Sequence, residues 1–414
     1  MVNAKIEMKM AKTKTNPEVR FAGFAEDWIP SKLGNIGEVK MCKRIFNNQT
    51  SPKGDIPFYK IGTFGKKADS SISNELYQEF RHKYPFPKEG DILISASGTL
   101  GRIVVYNGLP AYFQDSNIVW LNHNESKILN EFLYYIYGNI TYESEGGTIQ
   151  RLYNSIILNA RFSFPENKDE QTQIGNFFEN IDKLITQHQQ KHSKLKALKQ
   201  AMLGKMFPKQ GQLVPEIRFK GFEGNWIKYN LEQVSPIRGG FAFKSNEFKK
   251  EGVPILKISN ILPTGEVGGR FDFYEEQQQD ENFLLPNNSA VLAMSGATTG
   301  KVSILKINHN EKVYQNQRVG YFQNKGVVDY SFISVLFKSA LFSDKMRSVL
   351  VAGAQPNVSP KEINAFEFYI PNSNDEQKKI GIYFNNLEEL IRNYNLQITK
   401  LQNIKKAFLA KMFI

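Results

Sequence analysis

Two stretches of about forty residues, one in mid-chain and one at the end, repeat each other with an offset of 206, from Asp169 to Asp375. Both open with Asp-Glu-Gln, continue with Ile-Gly and close with Lys-Met-Phe. In each, apolar residues recur at alternating intervals of three and four, which is typical of a helix lying along another helix. These seam positions are Ile174, Phe177, Ile181, Leu184, Leu195, Leu198 and Met202 in the first stretch and Ile380, Tyr383, Leu387, Leu390, Leu401, Ile404 and Phe408 in the second.

Polar residues interrupt both seams at the same place, with His188 and Lys191 in the first helix and Tyr394 and Gln397 in the second. A polar seam residue often sets the pairing register of a coiled coil. Two unrelated amphipathic helices, each packed on its own core, are the alternative, which the shared start, register and end disfavour. We therefore predict that the two helices pair antiparallel as a two-stranded coiled coil, with His188 and Tyr394 in the seam.

A second repeat opens each half of the chain. Residues 17–36 and 215–234 share nine of twenty positions, among them Trp28 and Trp226, which we predict to be core anchors. Short apolar runs cut by Gly and Pro follow in both halves and are typical of β-strands. Weaker matches keep the same order along the halves and pair residues 56–61 with 253–258, 91–103 with 290–302 and 114–117 with 315–318, ahead of helix-like runs at 127–137 and 330–346.

The two repeats together predict the domain organisation. The fold class is α+β, with two β-rich domains separated by two long antiparallel helices that form a coiled coil, and with pseudo-twofold symmetry. Pro208 ends the first helix, because proline cannot donate a backbone hydrogen bond. The predicted parts are a basic tail at 1–16, a first domain at 17–165, the central helix at 166–208, a second domain at 209–371 and the C-terminal helix at 372–414.

Composition narrows the function. The chain has 414 residues and a formal net charge of +12, and such an excess of Lys and Arg attracts polyanions. Cys42 is the single cysteine, so no intrachain disulfide or cysteine zinc site is expected. No apolar run is long enough to span a membrane, and the first sixteen residues lack a signal-peptide pattern. We expect a cytoplasmic protein.

No catalytic motif is found. Residues 295–301 resemble a phosphate-binding loop, but Ser295 replaces its first glycine and Val302 replaces its hydroxyl residue. Glu170 and Glu376 stand in a first helical turn, where they complement the helix dipole. The five histidines show no metal-binding spacing. We therefore predict a chain that is not an enzyme and binds no metal or cofactor itself.

The openings (PE[VI]RFxGF…W), the helix starts ([FI]P…DEQxxIGxxF) and the K-M-F ends resemble the specificity subunit of a type I restriction–modification enzyme, from Pro17 to Phe413. The loop at 355–359 is also similar to that family, whereas its counterpart at 150–154 departs from it. The resemblance implies two target-recognition domains, each binding one half of a bipartite, asymmetric sequence in double-stranded DNA. The helices would set the spacer and dock two modification subunits.

By the same resemblance, the partners would carry the chemistry. The modification subunits would use S-adenosylmethionine to methylate adenine N6, and two restriction subunits would use ATP and magnesium for translocation and cleavage. This chain would supply the sequence specificity, and its positive charge fits phosphate contacts that position a protein on DNA.

Loops rich in Gln, Asn, Ser, Thr and Arg present donors and acceptors that match base edges. The DNA-binding candidates are Lys43, Arg44, Ser97, Thr99, Arg102, Gln114, Gln150 and Arg151 in the first half, and Arg238, Lys244, Ser295, Thr298, Lys301, Gln315, Gln317, Arg318, Gln355 and Asn357 in the second. Two other functions stay open: a non-catalytic coiled-coil scaffold with two ligand-binding globules, and a stand-alone nuclease, which the absent metal ligands disfavour. Neither the target sequence nor the spacer length follows from these residues.

Overall fold

The computed structural model divides into two compact units. Unit 1 comprises Met1–His188 with Leu396–Ile414, and unit 2 comprises Gln189–Asn395. Each unit is described by itself below. The residues that the structure describes are 16–140, 142, 151–209, 211–262, 265–308, 311–352 and 357–414.

The described part of unit 1 holds three small sheets with the strand orders β2-β8-β5-β6, β4-β3-β7 and β1-β9. Strand β5 is fully buried, as expected for an apolar run at the centre of a covered sheet. The strands of unit 1 are β1 (Ile29–Lys32), β2 (Glu38–Met41), β3 (Ile56–Tyr59), β4 (Ser70–Ile72), β5 (Ile92–Ser95), β6 (Ile103–Val105), β7 (Tyr112–Phe113), β8 (Ile118–Asn122) and β9 (Arg161–Phe164).

Unit 2 repeats this topology strand for strand, with the orders β11-β17-β14-β15, β13-β12-β16 and β10-β18. In both units one parallel pair, β3 with β7 and β12 with β16, stands among antiparallel pairs. The strands of unit 2 are β10 (Ile227–Asn230), β11 (Ile237–Arg238), β12 (Val253–Leu256), β13 (Asp272–Tyr274), β14 (Ala290–Ala293), β15 (Val302–Ile304), β16 (Tyr314–Gln315), β17 (Val319–Phe322) and β18 (Glu367–Ile370).

Two of the helices are long and contribute to both units, and the others are short. The helix-like run predicted at 330–346 is two helices, α6 (Tyr330–Leu336) and α7 (Ala340–Ala352). The helices are α1 (Asn74–Lys83), α2 (Asn130–Asn139), α3 (Asn154–Asn159), α4 (Lys168–Lys205), α5 (Leu231–Val234), α6 (Tyr330–Leu336), α7 (Ala340–Ala352), α8 (Pro360–Asn364) and α9 (Asn374–Met412). The α+β class with β-rich domains and long helices is confirmed.

The repeated motifs recur because they contact one another inside each unit. In unit 1, Arg20 of the opening segment donates from Nε and Nη2 to the carboxylate of Glu170, at 2.6 and 2.8 Å. In unit 2, Arg218 does the same to Glu376, at 2.6 and 2.7 Å. Both carboxylates are fully buried at the start of a long helix. The glutamates therefore fasten the opening segments to the helices, and the hydrogen bonds raise the pKa of both arginines.

The Lys-Met-Phe ends complete the opposite globules. In unit 1 the ring centroid of Phe413, after the end of α9, lies 5.5 Å from that of Phe132 and 6.2 Å from that of Trp28. In unit 2 the ring of Phe207, after α4, lies 5.6 Å from that of Phe332 and 6.2 Å from that of Trp226. Both tryptophans are buried core anchors, as predicted. The core of the first domain thus includes the C-terminus of the chain.

Segments of the two long helices run antiparallel within each unit. In unit 1, Asp182 of α4 accepts from Nζ of Lys405 of α9 at 2.6 Å. In unit 2, Lys199 of α4 donates to Glu388 of α9 at 2.7 Å, and Lys338 donates to the same carboxylate. Burial alone would raise the pKa of Glu388, but the two ammonium groups hold it below its usual range. Asp182 and Glu388 are equivalent in the repeat, as are Lys199 and Lys405.

The predicted seam is wrong at three positions. Leu184, Leu198 and Leu390 are 43%, 39% and 46% exposed, whereas Phe178 and Phe384, each one residue after a predicted seam position, are buried. An α-helix drifts relative to a strict heptad, and each long helix here must also cover a globule. The buried stripe is therefore broader than a coiled-coil seam and is displaced from it. At the polar gap, Lys191 Nζ lies 5.9 Å from the ring centroid of Tyr394.

The remaining predicted seam residues are at least partly buried, including His188. In unit 1, Ile174 and Ile181 are buried in the main core, and Phe177, Leu401, Ile404 and Phe408 pack against it. In unit 2, Ile380 and Leu387 are buried in the main core, and Leu195, Met202 and Tyr383 pack against it.

Candidate nucleic-acid interface

In unit 1, three chain segments meet beyond the end of the central strand β5. Ala96 donates its backbone N–H to Asn117 O at 2.8 Å and accepts from Leu152 N at 2.9 Å. The β5–β6 loop, the β7–β8 turn and the segment before α3 therefore lie side by side. We call residues 96–102, 114–117 and 151–153 loop cluster 1.

Unit 2 builds the same junction. Met294 donates to Arg318 O at 3.0 Å and accepts from Val358 N at 3.1 Å. Residues 295–301, 316–318 and 357–359 accordingly form loop cluster 2. Gly98 and Gly296 both have positive φ values, 68° and 81°, which a glycine adopts without strain.

These hydrogen bonds correct two matches made from the sequence. Ala96 corresponds to Met294, so Ser97 corresponds to Ser295, one residue away from the sequence match. Gln114 corresponds to Asn316 and not to Gln315, because Gln114 N donates to Tyr59 O on β3 and Asn316 N donates to Leu256 O on β12. The β5–β6 loop is one residue longer in unit 2 and the β7–β8 turn is one residue shorter. These two length changes shift the register at the loop clusters, and sequence similarity alone does not show the shift.

Seven of the eight candidates in the first half lie in or beside loop cluster 1. Ser97 donates to Asn117 Oδ1 at 2.8 Å, and Arg151 Nη2 donates to Ser116 Oγ at 2.8 Å. Arg44 forms an ion pair with Asp115 at 2.7 Å, which attaches the segment after β2 to the cluster.

Of the other four candidates, two bind backbone groups of a neighbouring segment and two are exposed. Arg102 donates to Phe64 O at 2.9 Å, and Gln114 Oε1 accepts from Ile61 N at 2.9 Å, so both side chains brace the segment after β3. Thr99 is exposed, and its carbonyl accepts from the hydroxyl of Ser95. Lys43 is exposed, with its Nζ 5.1 Å from the ring centroid of Tyr84.

The second half places six candidates in loop cluster 2. Lys301, Gln317, Arg318 and Asn357 are exposed. Thr298 Oγ1 donates to Ile258 O at 3.4 Å, and Ser295 Oγ is buried without a hydrogen-bond partner among the described residues. Lys244 is exposed on a neighbouring loop and forms an ion pair with Glu247.

Two candidates of the second half bind backbone carbonyls with their side chains, and the full burial of Gln315 contradicts its predicted DNA contact, whereas Arg238 is half-buried. Gln315 is fully buried on β16, where its Nε2 donates to Arg238 O and Val319 O at 3.0 and 2.7 Å. Arg238 donates to the carbonyls of Asn282 and Leu284, and burial lowers the pKa of its guanidinium. Both side chains satisfy backbone groups inside the fold. Gln150 and Gln355 lie outside the described residues.

Sequence reasoning chose only Gln114 from residues 114–117 and missed Asn117, which lies in the turn of loop cluster 1 and accepts a hydrogen bond from Ser97. It also missed exposed aromatic side chains in and beside the clusters. Tyr153 is 49% exposed next to Arg151, and Phe241 is 39% exposed and exchanges backbone hydrogen bonds with the segment before Arg318. An aromatic residue in a loop carries no pattern that separates it from core residues.

Within the described ranges, no three His, Cys, Asp or Glu side chains are grouped so that they could hold a metal ion. Nor is any described helix both long and apolar enough to cross a membrane.

Comparison with known proteins identifies the family. The family model of the type I restriction modification DNA specificity domain matches twice, at residues 25–197 and 223–403. The chain belongs to this family. It is therefore a type I restriction–modification specificity subunit with two tandem specificity domains.

Relatives agree with that assignment. A putative type I restriction enzyme specificity subunit of Haemophilus influenzae is 54% identical over 159 residues, which span 38% of this chain and 41% of that protein. The MjaVIII specificity subunit of Methanocaldococcus jannaschii is 25% identical and aligns over 97% of this chain and 95% of its own length. The S subunit structure from M. genitalium has a TM-score of 0.67 at 16% identity, covers 96% of this chain and 99% of its own, and shows a shared fold.

Proposed function

We propose that this chain is the DNA-recognition subunit of a type I restriction–modification complex, in which each unit contacts one half of a bipartite, asymmetric target. One observation carries the proposal. In this member of the family, the described residues build one nine-strand topology twice, and equivalent loop clusters carry different side chains. Two copies of one frame with different polar loops suit two different half-sites on one duplex.

Charge supports a duplex as the ligand. Loop cluster 1 and its flanks carry Lys43, Arg44, Arg102 and Arg151, and the net charge of the chain is +12. Phosphate contacts by such side chains release counterions, so DNA affinity should fall steeply as salt rises. A globule that binds peptides or glycans would show no such slope, and that comparison separates the scaffold alternative from this proposal.

The chemistry would belong to the partners, as is expected of a specificity subunit. Modification subunits would use S-adenosylmethionine, and restriction subunits would use ATP and magnesium. The isolated chain should therefore neither methylate nor cut DNA. If the target is chromosomal DNA, this chain would act in the cytoplasm.

The deciding experiment is a genome-wide map of adenine methylation in cells with and without this chain, in the presence of its partner subunits. Methylation at one bipartite sequence that depends on the chain supports the proposal. The same methylated sites in both strains would contradict it, and so would turnover by the pure chain above contaminant levels.

A repeated apolar surface supports the docking of two modification subunits. In unit 1, Phe21 packs on Phe177 with ring centroids 5.8 Å apart, and Leu184 lies exposed two turns further along the same helix. In unit 2, Phe219 packs on Tyr383 at 5.9 Å, and Leu390 lies exposed at the equivalent place. Exposed apolar residues in a recurring group are typical of protein interfaces. Their presence once in each unit fits two copies of the same partner.

Aspartate substitutions test this stoichiometry, because exposed leucines can be replaced without disturbing a core. Leu184→Asp and Leu390→Asp should each reduce the co-purified modification subunits from two to one, and the double variant should bind none. Leu109→Asp, at a residue 64% exposed in the β6–β7 connection, is the matched control and should retain both. Full binding by the double variant would place the docking surface elsewhere.

A further inference from the structure

The two loop clusters carry the same three polar residue types with two of them exchanged. The second residue after the central strand is Ser97 in unit 1 and Ser295 in unit 2. The residue whose carbonyl accepts from that strand end is Asn117 in unit 1 and Arg318 in unit 2. The third position precedes the residue that donates its N–H back to Ala96 or Met294, and it is Arg151 in unit 1 and Asn357 in unit 2. The equivalence rests on backbone hydrogen bonds and not on sequence similarity.

The backbone hydrogen bonds of the loops are the same whichever of the two side chains stands at each position. In unit 1, Asn117 accepts from Ser97 and Arg151 donates to Ser116, both at 2.8 Å. In unit 2 the backbone bonds from Met294 to Arg318 and from Val358 to Met294 persist with the side chains exchanged. A residue type that is free to change while the backbone frame stays fixed suits recognition better than support.

The side chains of each pair present the donors that base edges require. Arg318 and Asn357 are exposed, and the guanidinium of Arg318 has no hydrogen-bond or ion-pair partner among the described residues. Asn117 uses its oxygen on Ser97 and keeps its amide N–H groups and a second lone pair. Arg151 engages one terminal nitrogen and keeps donors on the others. All four can form the two-pronged contacts that distinguish bases.

We propose that Asn117 with Arg151 and Arg318 with Asn357 are the specificity-determining pairs of the two half-sites. This inference rests on the proposed function. Arginine pairs with guanine through O6 and N7, and asparagine pairs with adenine through N6 and N7. Arginine and asparagine are exchanged between equivalent positions of the two units. Each unit therefore contacts one guanine and one adenine, and the order of these two bases is opposite in the two half-sites.

A charge-conserving exchange tests the proposal. The double variant Arg318→Asn with Asn357→Arg gives unit 2 the arrangement of unit 1 and leaves the net charge unchanged. In the assembled complex, the methylation map should change at no more than two base pairs of the second half-site, and the first half-site should stay the same. The original site should lose about 5- to 150-fold in preference for each base pair whose contact is lost, which is the range of one good base contact. The salt dependence of binding should not change.

The reciprocal exchange, Asn117→Arg with Arg151→Asn, is the matched control and should change the first half-site alone. If an exchange prevents folding, Arg318→Lys keeps the charge but loses the planar fork, so it should relax the preference at one base pair. An unchanged half-site, or equal weakening on all sequences, overturns this inference. Absence of any bipartite methylation with the unaltered chain would instead overturn the proposed function.

Discussion

Glu170 and Glu376 are fully buried, and each is neutralised by one arginine from the opening segment of its unit. Removing one partner of a buried ion pair leaves an uncompensated charge, which costs about 3–5 kcal/mol. Glu170→Gln should therefore lower the free energy of unfolding of unit 1 by about 3 kcal/mol. The lower end of the range applies because 13% of the Arg20 side chain is exposed to water. Glu376→Gln should do the same in unit 2. Hydrogen exchange resolved by peptide separates the two effects.

Glu179→Gln provides the control for those variants. Glu179 is 53% exposed and pairs with Lys183 one turn away on the same helix. Such a pair contributes about 0.3–0.5 kcal/mol, so its loss should leave the exchange rates nearly unchanged. If Glu170→Gln is as mild as Glu179→Gln, the opening segment is not held by this ion pair.

The glycine of the repeated Ile-Gly pair allows each long helix to approach a short one. A Cβ at Gly381 would lie 1.9 Å from Ser331 Oγ and 2.9 Å from its carbonyl carbon, whereas at Gly175 the nearest atom, Glu131 Cγ, would lie 3.0 Å away. Overpacking costs about 1–3 kcal/mol, so Gly381→Ala should destabilise its unit by about that much, and Gly175→Ala by less.

Gly204 is the matched control, because it lies in the same helix as Gly175 with no atom within 4 Å of an added Cβ. Gly204→Ala should raise the free energy of unfolding by about 0.5–1 kcal/mol. Chemical denaturation of the three variants measures the order. Equal effects of all three would mean that the close approach of the helices does not explain the repeated glycine.

At the scale of elements, the C-terminus belongs to the first globule. Phe413 packs on Trp28 and Phe132 in unit 1, and Phe207 packs on Trp226 and Phe332 in unit 2. Truncation of a buried phenylalanine such as Phe207 costs about 3–5 kcal/mol, and truncation of the partly buried Phe413 should cost less. Phe413→Ala, at the last residue but one of the chain, should speed hydrogen exchange in α2, and Phe207→Ala should speed it in α6. Faster exchange in α6 on substitution of Phe413 would contradict this assignment.

The repeated ion pairs predict how half of the chain assembles. A fragment ending near Phe207 lacks the segment 396–414 that completes unit 1, but a second copy can supply the equivalent segment 190–208. Asp182 of one copy would then face Lys199 of the other, because Lys199 is equivalent to Lys405 in the repeat. Sedimentation should show a dimer, and with modification subunits it should methylate a symmetric target built from the first half-site.

A charge exchange within that fragment is the control. Asp182→Lys alone should weaken the dimer by placing ammonium groups opposite each other, and Asp182→Lys with Lys199→Asp should restore it. A stable monomer, or a dimer indifferent to these charges, would show that the long helices do not pair in this way.

The sequence predicts those features of the fold that repeat between the two halves without a change in length. The opening segments repeat at an offset of 198 and the long helices at an offset of 206, each without an internal length change, so the α+β class and Trp28 and Trp226 as core anchors could be predicted. The loops differ in length by one residue at two places, and that is why Gln315 was mistaken for a loop residue. Leu184 and Leu390 were mistaken for seam residues because periodicity shows that a face is apolar but not what covers it.

At the scale of the whole molecule, the proposed role of the long helices is to set the number of unread base pairs between the half-sites. Helices α4 and α9 have 38 and 39 residues and span both units. Seven residues inserted after Gln189 and seven after Asn395 keep the heptad phase of both helices. Each helix lengthens by about 10 Å, which corresponds to about three base pairs. Both insertions fall at the boundary between the units, so neither interrupts a loop cluster.

The methylation map of this insertion variant should show the same two half-sites with a spacer longer by up to about three base pairs. The spacer should grow by fewer than three base pairs if the added helical turns also rotate one unit about the duplex. A unit can contact a half-site only where the groove of the DNA faces that unit. A variant with one insertion, after Gln189 alone, is the control: the ion pairs Asp182–Lys405 and Lys199–Glu388 then cannot both be kept, so methylation should be abolished. An unchanged spacer in the double insertion would show that the helices do not set it. Altered half-sites would show that the loop clusters depend on the helices for more than their position.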